Sequence, residues 1–176
     1  NKPGVKSKFI GLAASSSSLA VEELALEWYR GHARWNGMHC EGSAVRFIWC
    51  LLFWECALYA PIPDVFQTPY QSSPWDLGTD AFYRSRKAAI DARLLEIRRM
   101  SSVDLIETVR ASYRTEEHFG AMCVGGAWDS FTEDDLACIA GGLGPLAVAG
   151  CCELLSKDFS YWSGGLPDLV LWRWSE

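Results

Sequence analysis

Close to the end of the chain, Gly164-Gly165-Leu166-Pro167 leads into Asp168-Leu169-Val170-Leu171-Trp172. Two glycines and a proline ahead of a run of apolar, β-forming residues predict a tight turn feeding a buried strand. This constrains the fold, because a lone strand at the end of a mostly helical chain is not stable by itself. It also isolates one residue. An aspartate entering a buried strand must be solvated, paired or bound to a metal, since an unpaired buried charge is costly.

The rest of the chain is mostly helical in pattern. Lys6 to Ile10 predicts a short strand and Ser15 to Ser18 a loop. Val21, Leu24 and Trp28 share a face at three- and four-residue spacing, which predicts a helix over Val21 to Arg30 ended by Gly31. Asn36-Gly37 predicts a turn. Ser43 then caps an apolar helix from about Ala44 to Tyr59. Pro61, Pro63, Pro69 and Pro74 break up an ordered loop in which Asp64 is structural. Helices are expected from Asp80 to about Met100, from Ser101 to about Tyr113, after Thr132 as far as Gly141, and over Leu146 to Leu155. The order points to an α/β domain with an under-represented sheet.

Composition narrows the function. The net charge of −6 excludes a grip on nucleic acid by bulk charge, so any DNA contact needs a local basic patch or another domain. Six basic residues cluster in the helix beginning at Asp80, and Arg84, Lys87 and Arg93 are the candidates for phosphate contact. Seven cysteines show no CxxC pair and no zinc-like partnership with histidine, which suits reduced, core-filling thiols. The most apolar stretch, Phe47 to Ala60, is too short to span a bilayer and carries Glu55, so no membrane association is expected. Nine tryptophans imply either a densely packed interior or surface that a partner covers.

Two carboxylates sit at junctions rather than on polar helix faces. Glu41 lies where a turn or strand meets the apolar helix, and Asp168 enters the last strand. Brought together, they would form a hard-oxygen site suited to Mg²⁺ or Mn²⁺. His39 is a candidate outer partner to Glu41. The spacing of the pair is too long for anything but folding to join them.

Five blocks carry a resemblance: Val21-Glu22-Glu23-Leu24-Ala25-Leu26, His39-Cys40-Glu41-Gly42-Ser43, Ile62-Pro63-Asp64-Val65-Phe66, Asp76-Leu77-Gly78-Thr79-Asp80 and Gly164 to Val170. In this order they resemble the Fanconi-associated nuclease family, in its C-terminal virus-type replication-repair nuclease domain. The resemblance implies a restriction-endonuclease-like α/β fold of the PD-(D/E)xK superfamily, with residues 1–19 as lead-in, 20–176 as a partial nuclease domain and a helical insertion over about 60–160. It implies 5′-flap endonuclease and 5′-to-3′ exonuclease activity on branched DNA in interstrand crosslink repair, in the nucleus, by a monomer. Glu41 and Asp168 become the catalytic metal carboxylates, with Mg²⁺ or Mn²⁺ as cofactor. Fanconi-pathway partners are expected to engage regions outside these residues. The family's Glu-x-Lys-Gly strand does not occur between Leu169 and Glu176, so these residues by themselves are expected to be inactive. A non-catalytic helical module that binds DNA or protein is the alternative.

Overall fold

The structure, a computed structural model, describes residues 8–11, 18–118, 124, 126 and 128–173. They fall into two compact units. One is built from the segments before Gly42 and after Leu166, the other from Gly42 to Leu166.

In the first unit, strands β1 (Phe9–Ile10) and β2 (Ser18–Leu19) pair antiparallel. Lys6, Ser7 and Ser15 to Ser17 lie outside the described residues. Helix α1 (Val21–Ala33) begins where the Glu23 carboxylate accepts the Ala20 N–H at 2.9 Å. It runs through Gly31, which was expected to end it, because one glycine in a helix interior costs only about 1 kcal/mol. Arg34 ends it instead, in the left-handed region at φ 52°.

Strand β3 (Asn36–His39) pairs antiparallel with β4 (Leu169–Trp172), in the register Asn36 to Trp172 and His39 to Leu169. The last strand is therefore not alone. Its partner is the segment in which Asn36-Gly37 predicted a turn. Gly37 serves close approach rather than chain reversal: a Cβ there would collide with Leu171 and sit 2.9 Å from the Val170 carbonyl oxygen.

The second unit holds α2 (Ser43–Leu52), a π-helical turn (Trp54–Leu58), α3 (Asp80–Arg99), α4 (Ser102–His118), a 3₁₀ turn (Trp128–Ser130), α5 (Glu133–Lys157) and α6 (Phe159–Trp162). Ser43 was expected to cap α2, but it is already the first helical residue. Gly42 stands at the cap position with φ 73°. A Cβ on Gly42 would run into Leu166, so both the backbone angle and the neighbour require glycine. Helix α4 extends five residues past the expected Tyr113.

The core forms where α2 meets the long helices, and Trp49, Phe47, Phe53 and Phe82 are fully enclosed. The Trp49 indole N–H donates to the Ser156 hydroxyl at 2.8 Å, which lets both polar groups be buried. Other tryptophans stay outside, Trp75 being 67% exposed.

Helix α5 is long and apolar enough to cross a membrane, with a window of mean hydropathy 1.7, a property that the sequence expectation did not include. Gly144 (φ 77°, ψ 164°) followed by Pro145 interrupts it, as the predicted stop at Gly141 to Pro145 requires. Its buried side packs on α3 and α4.

Arg86 is the charge at the centre of this unit. Its guanidinium forks onto Asp76 at 2.6 and 3.1 Å, and its Nε donates to the Ala57 carbonyl at 2.7 Å. Arg86 is fully buried and Asp76 nearly so. The pair ties the Pro-rich loop to α3 and to the π-helical turn.

Arg86→Ala, which strands Asp76, should lower unfolding free energy by about 3 kcal/mol or more in urea titration. Gly42→Ala should lower it by about 2–4 kcal/mol, through left-handed strain and the collision with Leu166.

Candidate functional site

The two junction carboxylates belong to the same unit, and their backbones meet. Strand β3 ends at His39 and β4 begins at Leu169, the last pair of the ladder. Just beyond it, the Asp168 carbonyl accepts two hydrogen bonds, from the Cys40 N–H at 2.8 Å and the Glu41 N–H at 3.1 Å. Folding thus brings Glu41 and Asp168 side by side across a long stretch of sequence.

Glu41 has φ 45°, a left-handed conformation that a residue with a Cβ adopts at a cost of about 1–3 kcal/mol. The double hydrogen bond to Asp168 helps to hold that conformation where the chain leaves the sheet. The His39 Nε2 lies 3.7 Å from a Glu41 carboxylate oxygen, which is ion-pair range if the imidazole is protonated. His39 thus stands beside Glu41.

The burial of the site differs from expectation. Strand β4 is half-buried along its whole length and Asp168 is exposed. The Glu41 side chain is 75% exposed. A two-stranded ladder with one helix beside it encloses little, and Leu26 is the buried hydrophobic residue of α1. Exposure relieves the charge problem that first singled out Asp168: water can solvate it.

The donor chemistry suits a hard divalent cation, since both residues offer carboxylate oxygens and an exposed site leaves room for water ligands. Among the described residues no group of three or more His, Cys, Asp or Glu converges on one point. Glu41 and Asp168 therefore fit as part of a metal centre, with other ligands needed to complete it.

The basic candidates lie in the other unit and differ from one another. Arg84 is exposed and pairs with Asp80 at 3.1 Å. Lys87 is exposed and pairs with Asp91. Hydrogen bonding by Asp91 holds the Lys87 ammonium above its usual range, and Asp91 falls below its own. Arg93 is turned inward at 20% exposure, donating from Nε to the Leu52 carbonyl at 2.9 Å and pairing with Glu96 at 2.7 Å. Arg84 and Lys87 are thus the pair that faces water. None of the six described cysteines is joined in a disulfide, and burial pushes the Cys152 thiol well up; Cys123 lies outside the described residues.

No protein-family model matches the chain. Curated relatives do. Fanconi-associated nuclease 1 of Homo sapiens is 38% identical over 96% of this chain and 17% of its own length. The homologue in Arabidopsis thaliana is 34% identical over 98% of this chain and 19% of its own, and that in Schizosaccharomyces pombe 38% identical over 90% and 22%. Among solved structures, paFAN1 bound to a 5′-flap DNA with a two-nucleotide flap and a gap superposes with a TM-score of 0.75 at 25% identity, covering 96% of this chain and 30% of that one. A second paFAN1 complex, with a one-nucleotide flap, gives 0.77 at 26% identity over 92% and 28%. The chain spans about a fifth of the length of these curated relatives, and over that span it is similar to Fanconi-associated nucleases at 34–38% identity.

Proposed function

We propose that the chain supplies part of the active site of a metal-dependent, structure-specific DNA nuclease that hydrolyses phosphodiester bonds at 5′ flaps and from 5′ ends. The observation that carries this is the Asp168 carbonyl bridging the Cys40 and Glu41 amides, which joins the backbones of two carboxylate-bearing residues at the end of a ladder. The solved relatives bound to 5′-flap DNA support the choice of substrate. Interstrand crosslink repair in the nucleus, a monomeric state and contact with Fanconi-pathway proteins complete the reading. The β3–β4 ladder supports a restriction-endonuclease-like core in which Asp168 is the aspartate of the PD-(D/E)xK pattern.

In this reading Glu41 and Asp168 hold Mg²⁺ or Mn²⁺, which when bound supplies positive charge at the scissile phosphate and acidifies a water ligand. The strained backbone of Glu41 fixes where its carboxylate starts from, and β4 fixes Asp168. His39, within ion-pair reach of Glu41, orients that carboxylate. The chain's acidity leaves DNA contact to local patches, and Arg84 and Lys87 on α3 are the exposed cations proposed for phosphate.

Asp168→Asn and Glu41→Gln, each in the protein as its gene encodes it, should lower Mg²⁺-dependent cleavage of a 5′-flap substrate by at least about 100-fold, with His39→Ala losing about tenfold. Cleavage that survives Asp168→Asn would reject the assignment and favour the non-catalytic module. Replacing Arg84 and Lys87 by Gln should flatten the salt dependence of DNA binding by roughly one log unit per contact removed. An unchanged slope would leave that face as a solvated one.

A further inference from the structure

Beside the π-helical turn lies a cleft of about 360 Å³ lined by Leu51, Leu52 and Trp54 and by the charged Arg93, Glu55 and Glu116. The turn itself is irregular: the Ala57 and Leu58 amides both donate to the Phe53 carbonyl, and the Tyr59 amide to that of Trp54. Short π-helical segments are frequent at functional sites.

The charges of the cleft do not balance. Arg93 is already engaged, by the Leu52 carbonyl and by Glu96. Glu55 and Glu116 have no ion-pair partner among the described residues. In the same unit Asp76, Asp80, Asp91, Glu133 and Glu153 each hold an arginine or lysine. Burial, and then the charge of Glu55, raises the Glu116 carboxyl above its ordinary value. The titratable groups around it are Glu55 and Cys56 from the π-helical turn and Arg93 from α3, and burial pushes the Cys56 thiol up, so it stays neutral.

We propose that this cleft is a binding site for an organic cation, a guanidinium or ammonium head on an aliphatic stem, held by Glu55 and Glu116 with the stem against Leu51, Leu52 and Trp54. Two carboxylates and an apolar wall suit the fork of a guanidinium and the methylenes behind it. The volume falls within the range of small-ligand pockets. The same head group occurs on an arginine side chain of a protein partner and on a free amine.

Titration of the 176-residue chain with n-butylguanidinium, followed by amide chemical shifts, tests the site. Binding should be saturable, perturb residues around Trp54 and Glu116, and weaken as salt rises. The neutral isostere n-butylurea should bind at least about tenfold more weakly, and Glu116→Gln and Glu55→Gln should each cost a similar factor. A blocked Gly-Arg-Gly peptide that binds as tightly as n-butylguanidinium identifies a protein side chain as the ligand, whereas its exclusion identifies a free amine. Affinity should also fall as pH drops toward the range where Glu116 takes up a proton.

A raised carboxyl is penalised in its ionised form by folding, increasingly as pH rises through its folded pKa. Glu116→Gln should therefore resist urea at least as well as the parent at pH 7, the two converging below the ordinary glutamate value of 4.5. Equal binding of n-butylurea, preference for the dianion succinate, or unchanged affinity in both variants would overturn the proposal.

Discussion

One carbonyl oxygen, that of Asp168, receives the amide protons of both Cys40 and Glu41, and much else in the first unit depends on this convergence. It terminates the β3–β4 ladder, supports Glu41 in its left-handed conformation and brings together the backbones of the two residues proposed to hold metal. Backbone hydrogen bonds do this, so the juxtaposition does not require the two negative side chains to attract.

In the second unit the comparable role falls to arginines that do not face water. Arg86 and Arg93 sit seven residues apart on α3, two helical turns, and so project from the same side. Their Nε groups donate to the Ala57 carbonyl, inside the π-helical turn, and to the Leu52 carbonyl, just ahead of it. An irregular helix leaves carbonyls without their usual amide partners, and a guanidinium is a strong donor to offer in exchange. The basic character of α3 is thus divided between an inward part that secures a backbone irregularity and an outward part, Arg84 and Lys87, paired with Asp80 and Asp91.

That division shows what could be read from the amino-acid order. Helical periodicity located α3 and its buried face of Phe82, Ile90, Leu94 and Ile97, because amphipathic spacing is a local property. The cap at Thr132 and the stop at Gly144-Pro145 were equally local. Asn36-Gly37 misled, because the same dipeptide serves a turn or a close strand contact, and only the position of Leu171 decides between them. Glu41 and Asp168 were each visible as carboxylates at junctions, but their adjacency depends on a ladder between distant segments. The last strand was expected to be buried because it is apolar, with Asp168 solvated, paired or bound to a metal; a two-stranded ladder is too small to bury it, and Asp168 is exposed. Glu116 gave no signal, since its environment comes from the π-helical turn across from α4.

The collision that keeps Gly42 a glycine has a topological meaning as well. Its neighbour Leu166 is the other end of the second unit, so the unit's first and last residues touch. A flexible loop of about that length would oppose closure of the β3–β4 ladder by roughly 4 kcal/mol of chain entropy. A folded unit whose ends already meet opposes it little more than a hairpin turn does.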